Sequence, residues 1–110
     1  MILVTGGSGY FGMLLVQNLL RQGQPVRILD LNAPDDVPAA GAKVEFQQAD
    51  IRDPAAVRKA CEGVDAVYHC VAQVPLARDK QLLWSVNCDG TRNLLEAAQA
   101  ESVGKVIYIS

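Results

Sequence analysis

The stretch Thr5-Gly6-Gly7-Ser8-Gly9-Tyr10-Phe11-Gly12 decides the fold. It follows an apolar, strand-like start, Met1-Ile2-Leu3-Val4, and leads into a helical pattern carrying Leu14, Leu15, Leu19 and Leu20. A glycine-rich turn between a buried strand and a helix is a place where a chain can grip a pyrophosphate. The helix N-terminus offers unpaired N–H groups and a partial positive charge, and residues without a Cβ let phosphate approach the backbone. Gly7-x-Gly9-x-x-Gly12 is the general dinucleotide fingerprint, here in the strand–turn–helix context that the pattern requires. The competing reading is a glycine-rich turn that binds nothing.

Outward from this turn the chain alternates strands and helices. Strand one covers about Ile2 to Thr5, and its helix runs from Tyr10 to Arg21, stopped by Gly23 with Pro25 beyond. Phe11, Leu14, Leu15 and Leu19 fall at helical spacing and are expected to face the sheet. Strand two is Val26 to Leu29, ending at Asp30. Leu31 to Gly41, with Pro34, Asp35, Asp36 and Pro38, reads as a loop. Strand three spans Lys43 to Gln48. Asp53 before Pro54 is an N-cap followed by proline at the first helical position, with Val57 and Cys61 on the buried side and Gly63 at the end. Strand four is Ala66 to Cys70. A long helix is expected from Lys80 to Ala100, with Leu83, Val86, Leu94 and Ala98 on its apolar face and Gly90 packed closely against the sheet. Lys105 to Ser110 is strand five. This alternation predicts parallel β-α-β units with right-handed crossovers. The fold class is therefore α/β, a doubly wound parallel (Rossmann) sheet of order 3-2-1-4-5 with helices on both faces. The ligand is expected across the carboxyl ends of strands one and four, where the order reverses.

Composition narrows the function. Half of the 110 residues are hydrophobic, enough for the core of one modest domain, and the formal charge is −2. No basic stripe suits a nucleic acid, and no charge run suits a membrane surface. No apolar run is long enough to span a bilayer. Cys61, Cys70 and Cys88 are far apart and form no C-x-x-C pair, so they read as reduced thiols of a cytoplasmic protein. With a single histidine, His69, a structural metal site has almost no support.

Asp30 is the second anchor. It stands 18 positions after Gly12, near the spacing of a ribose-binding carboxylate. Its oxygens can accept from both adenosine hydroxyls, and its charge would repel a 2′-phosphate. Neither Leu31 nor Asn32 is basic to offset that repulsion, so NAD is favoured over NADP. The alternative is a loop aspartate that caps the strand end.

These motifs resemble the N-terminal part of an extended short-chain dehydrogenase/reductase, of the NAD-dependent epimerase/dehydratase group. Thr5-Gly6-x-x-Gly9-x-x-Gly12 is the narrower glycine pattern of that family. Ala49-Asp50-Ile51-Arg52-Asp53 is similar to its Gly-Asp-(Ile/Leu)-Arg-Asp. Val67 to Ala72, Val86 to Ala98 and Lys105 to Ser110 follow in family order, so the likeness covers the whole chain. The resemblance implies a cofactor site of Gly6, Gly9, Tyr10, Phe11, Gly12 and Asp30. It also implies that Asp50 and Ile51 hold the adenine. Cys70, Val71 and Ala72 would lie along the cofactor, with Val71 bulkier than the family's alanine. Asn87 would help hold the backbone near strand four, unless it is an exposed helix asparagine. A turn-capping role is the alternative for Asp50, and helix capping is preferred for Asp53. His69 ends a buried strand with no carboxylate or serine nearby in sequence, so no catalytic role is assigned to it. Trp84 reads as packing or interface surface.

The family's chemistry uses a serine or threonine just after strand five and a Tyr-x-x-x-Lys beyond it. Tyr10, Tyr68 and Tyr108 have no lysine four positions later in this chain, and Ser110 only begins the matching serine run. The expectation is therefore a single NAD-binding domain over residues 1–110 that lacks the catalytic and substrate-binding part and is inactive alone. Its parent is expected to be an NAD-dependent oxidoreductase, epimerase or dehydratase acting on a small molecule, a nucleotide sugar or a hydroxysteroid. A non-catalytic sensor or assembly protein of the same fold is the alternative. An unrelated doubly wound domain, such as a methyltransferase, would keep the fold and change the ligand. The open edge at strand five predicts pairing with further chain or with a second copy as a homodimer.

Overall fold

Strands of four or five residues form the sheet, and helices with apolar residues at helical spacing pack across it. The computed structural model describes residues 1–7, 10–31, 44–70 and 88–109; the side chain of Tyr10 is not among the parts described. The elements in chain order are β1 (Ile2–Thr5), α1 (Tyr10–Arg21), β2 (Val26–Asp30), β3 (Val44–Gln48), α2 (Pro54–Ala60), β4 (Ala66–His69), α3 (Gly90–Ala100) and β5 (Lys105–Tyr108). The strands form one sheet in the order β3-β2-β1-β4-β5, and every neighbouring pair is parallel. This is the doubly wound arrangement expected from the alternation.

The register aligns the carboxyl ends of the central strands. Thr5 of β1 lies opposite Leu29 of β2 on one side and His69 of β4 on the other. Alternate residues supply two cores. Leu3, Leu29 and Val67 meet Val57, Ala60 and Cys61 around α2 and Leu94 and Ala97 of α3. Val4, Val26 and Ile28 meet Val16 and Leu19 of α1 on the opposite face. Arg27, on β2, reaches from the sheet to donate to the carbonyls of Ala60 and Glu62, both at 2.7 Å, and so satisfies the end of α2.

Helix α1 has the bounds its sequence predicts, but its buried stripe is different. Val16 and Leu19 are inside, while Phe11 and Leu14 are 54% and 51% exposed. Gly12 sets the helix's rotation, because it must sit against the preceding turn. At about 100° per residue, a face through Gly12, Val16 and Leu19 leaves Phe11 and Leu14 on the far side.

The other ends also carry small corrections. The β4 ladder stops at His69 and the β5 ladder at Tyr108, although the N–H groups of Cys70 and Ile109 still donate to the carbonyls of Thr5 and His69, each at 3.1 Å. In the expected long helix, Cys88 and Asp89 form a wider π-type turn leading into α3. Gly90 is the first residue of α3, and the helical path already runs through Cys88 and Asp89 before it. Lys80 to Asn87, with Leu83, Trp84 and Val86, lie outside the described residues, as do Asn32 to Lys43 and Ser110. Asp53 caps α2 as expected, its Oδ1 accepting from the N–H groups of Ala55 and Ala56 at 3.2 and 3.4 Å.

Candidate functional site

The β1–α1 turn is built around absent side chains. Gly6 has φ 72°, and its N–H donates to the carbonyl of Leu29 at 2.8 Å, which bends the chain over the end of β2. A Cβ on Gly12 would lie 2.1 Å from the carbonyl oxygen of Gly6 and 2.9 Å from the Cα of Gly7. No side chain fits there without moving backbone. A Cβ on Gly7 would come within 2.8 Å of Ile28 Cγ2, so this glycine lets the turn sit directly on β2. The first turn of α1 carries no acidic residue. The helix start is thus compact and free of competing carboxylates, a suitable cradle for an anion.

Asp30 closes β2 beside this turn and is half-buried. Its carbonyl accepts from the N–H of Ala49 at 3.0 Å, which brings the turn after β3 next to it. In that turn, Asp50 is gripped by Arg52. Asp50 Oδ1 accepts from Arg52 N at 2.9 Å and from Nε at 3.0 Å; Oδ2 accepts from Nε at 3.0 Å and from Nη2 at 2.6 Å. The hydrogen bonds from the Arg52 side chain hold the Asp50 carboxyl below the usual carboxylate range.

Ile51 is buried and held from α3. Gly90 makes room for it: a Cβ there would lie 2.7 Å from Ile51 Cγ2. Asn93 Nδ2 donates to the Ile51 carbonyl at 3.2 Å. The close approach that explains Gly90 is therefore to the turn after β3, and not to the sheet as its sequence position suggests. Gly90, Asn93, Leu94 and Ala97 share one side of α3 by their spacing. That spacing is the sequence signal for Asn93, which is not among the expected site residues. Arg52 was visible only as part of a motif, with no role of its own.

On the other side of β1, Cys70 donates its N–H to both the carbonyl and Oγ1 of Thr5, each at 3.1 Å. His69 is 1% exposed, and its Nδ1 and Nε2 lie 2.7 Å from Thr5 Oγ1 and 3.1 Å from Thr91 Oγ1. Burial lowers its pKa to about 4 and raises that of the Cys70 thiol to about 11. The structure thus gathers Gly6, Gly12, Asp30, Asp50, Ile51 and Cys70 at the carboxyl end of the sheet. Phe11 belongs to the same turn through its backbone, with its side chain turned outward. Gly9, Val71, Ala72, Asn87 and the side chain of Tyr10 lie outside the described parts. Among the described residues, no three His, Cys, Asp or Glu converge to hold a metal, and no helix is long and apolar enough to cross a membrane.

Residues 3–110 match the 3-beta hydroxysteroid dehydrogenase/isomerase family. Over 108 residues the chain is 51% identical to an uncharacterized protein of Sinorhizobium fredii, covering 98% of this chain and 26% of that one. It is 38% identical over 109 residues to sterol demethylase protein B of Methylococcus capsulatus, covering 98% and 33%. Among solved structures, a short-chain dehydrogenase/reductase superfamily protein of Agrobacterium tumefaciens with bound NAD superposes with a TM-score of 0.85. It is 37% identical, over 98% of this chain and 31% of that one. The chain spans about a third or less of the length of these relatives.

Proposed function

The chain belongs to the 3-beta hydroxysteroid dehydrogenase/isomerase family, and on that premise we propose that it is the NAD-binding part of a dehydrogenase for a small hydroxylated substrate. The family favours a hydroxysteroid over a nucleotide sugar. The observation that carries the reading is the 2.1 Å approach that a Gly12 Cβ would make to the Gly6 carbonyl. Gly12 thereby lets the start of α1 close directly onto Gly6 at the switch point of the sheet, where a pyrophosphate cradle would lie.

In this reading the backbone from Gly6 through Gly9, Tyr10, Phe11 and Gly12 receives the pyrophosphate at the start of α1. Asp30 accepts from the adenosine ribose hydroxyls and disfavours the 2′-phosphate of NADP. Asp50 and Ile51 receive the adenine. Cys70, Val71 and Ala72 line the path toward the nicotinamide, with Asn87 supporting it. NAD supplies the hydride acceptor when bound. Proton transfer is assigned to residues outside this chain, which contains no Tyr-x-x-x-Lys and spans a third or less of its relatives. The reading includes a cytoplasmic location, which suits widely spaced cysteines kept as thiols. Among the described residues β5 is the outer strand of the sheet, and further chain or a second copy would pair along it.

The test is titration of the complete protein with NAD, NADP and S-adenosylmethionine, followed by an assay of NADH formation from a 3β-hydroxysteroid. NAD should bind most tightly, and Asp30→Ala should weaken it by roughly tenfold or more. Preference for NADP or S-adenosylmethionine would defeat the cofactor assignment. NAD binding without turnover of any hydroxylated substrate would point instead to a non-catalytic sensor.

A further inference from the structure

Among the described residues β3 is an outer strand of the sheet, with β2 as its strand neighbour on one side only. The N–H of Ala49, just past β3, donates to the carbonyl of Asp30 on β2. Backbone groups of a strand alternate in direction from one residue to the next. Glu45 and Gln47 therefore bond inward as Ala49 does, and Val44, Phe46 and Gln48 present their N–H and C=O groups outward. A cavity of about 280 Å³ follows this edge. It touches Glu45, Phe46 and Gln47 in succession. Their side chains point to opposite faces in turn, so a cavity that meets all three lies against the strand's edge.

Sheets commonly blunt an outer strand with proline, lysine or a bulge, because a bare edge pairs with other chains. Val44–Gln48 contains no proline or lysine, and its register with β2 runs unbroken through all five residues. Its one charge, Glu45, is bonded to Arg27 Nε at 2.9 Å. The charges around the cavity balance, Arg27 and Lys59 against Glu45 and Glu62, so two such edges do not repel each other. Phe46 leaves an aromatic ring 37% exposed on this strand. The strand is also self-complementary. With two copies antiparallel and Phe46 on the two-fold axis, Phe46 faces Phe46, Glu45 of one copy faces Gln47 of the other, and Val44 faces Gln48. The outward N–H and C=O groups then meet one another, no like charges stand opposite, and the two rings form a cross-strand pair.

We propose that the outer edge of β3 is a docking surface for a second copy of this chain, joined antiparallel about Phe46 into one continuous sheet. The surface lies on the outer strand away from the glycine turn, so the joined copies keep separate cofactor sites.

The experiment follows the mass of the complete protein by sedimentation over a range of concentrations. The unmodified protein should form a dimer. Phe46→Glu, which sets two carboxylates face to face on the axis, should weaken association by roughly tenfold or more. Cysteine cross-linking reads the register without adding charge and does not depend on that variant's folding. Directly opposed residues on the axis stand about 5.5 Å apart at Cα, within disulfide reach. Under mild oxidation Phe46→Cys should give a linked dimer, whereas Glu45→Cys and Gln47→Cys should link only when the two variant proteins are mixed. The unmodified protein, oxidised alongside, gives the background from Cys61, Cys70 and Cys88. A monomer throughout would overturn the proposal and leave the edge to further chain or another partner. So would a dimer indifferent to Phe46→Glu, or linking by Glu45→Cys alone as readily as by Phe46→Cys.

Discussion

His69 and Thr5 are register partners on β4 and β1, and a 2.7 Å hydrogen bond between Nδ1 and Oγ1 joins their side chains. The other ring nitrogen lies 3.1 Å from Thr91 Oγ1 on α3, and Thr5 Oγ1 also accepts from the N–H of Cys70. One imidazole therefore links the end of the central strand, the end of its neighbour and the first turn of a helix. Thr5 immediately precedes the glycine turn, so this link also fixes where the turn begins.

That link should make stability depend on pH. Burial lowers the His69 pKa to about 4, against roughly 6.5 in an unfolded chain. Between these values the unfolded state binds the extra proton, so folding stability rises with pH. The contribution is complete above about pH 6.5 and is lost as pH falls toward 4, by an amount on the order of 3 kcal/mol. Urea unfolding from pH 4 to pH 8 should show this slope in the unmodified protein, and His69→Gln should flatten it. Parallel pH profiles for the two proteins would refute the expectation.

Gly12→Ala should damage the cradle directly. Its methyl group would be placed 2.1 Å from a backbone oxygen, and no rotamer can relieve a backbone contact. Either α1 moves away from the turn or the turn opens, and both change the amides meant for the pyrophosphate. NAD affinity should fall roughly 100-fold, with a lower melting temperature. Near-normal binding by this variant would argue against the turn as the cradle.

Asp53→Ala provides the contrast. Asp53 Oδ1 serves the N–H groups of Ala55 and Ala56, and its removal should cost about 1 kcal/mol of stability. Because its role is to cap α2, NAD affinity should change by less than about twofold once the protein is folded. A large affinity loss with unchanged stability would instead place Asp53 in the binding site.

Cys61 should resist alkylation in the native protein. It is fully buried at the end of α2, and burial raises its thiol pKa to about 11. The reactive species is the thiolate. Mass spectrometry after iodoacetamide treatment at pH 8 should find Cys61 unmodified until denaturant is added. Modification at the rate of an exposed thiol would show that this core opens readily.

Local signals made most of the fold legible. Gly23 ended α1, Asp53-Pro54 began α2, and short apolar runs gave the five strands in their order. These features are readable because each depends on a few adjacent residues: a left-handed turn, a cap, a fixed φ or a side-chain alternation. The buried face of α1 was less legible. Five apolar residues in its first half fit more than one stripe, and contact between Gly12 and the turn selects among them.

The chain's own order of residues determined an α/β sheet that reverses at β1, a bare glycine turn at that point, and a carboxylate at the end of the next strand. Tertiary structure alone decided that Gly90 and Asn93 grip Ile51, that Asn93 reaches 42 positions back to do so, and that His69 joins Thr5 to Thr91. The physical reason is range. Turns, caps and alternation act between near neighbours, whereas the shape of a buried gap and the partner of a buried polar group exist only after distant elements have packed.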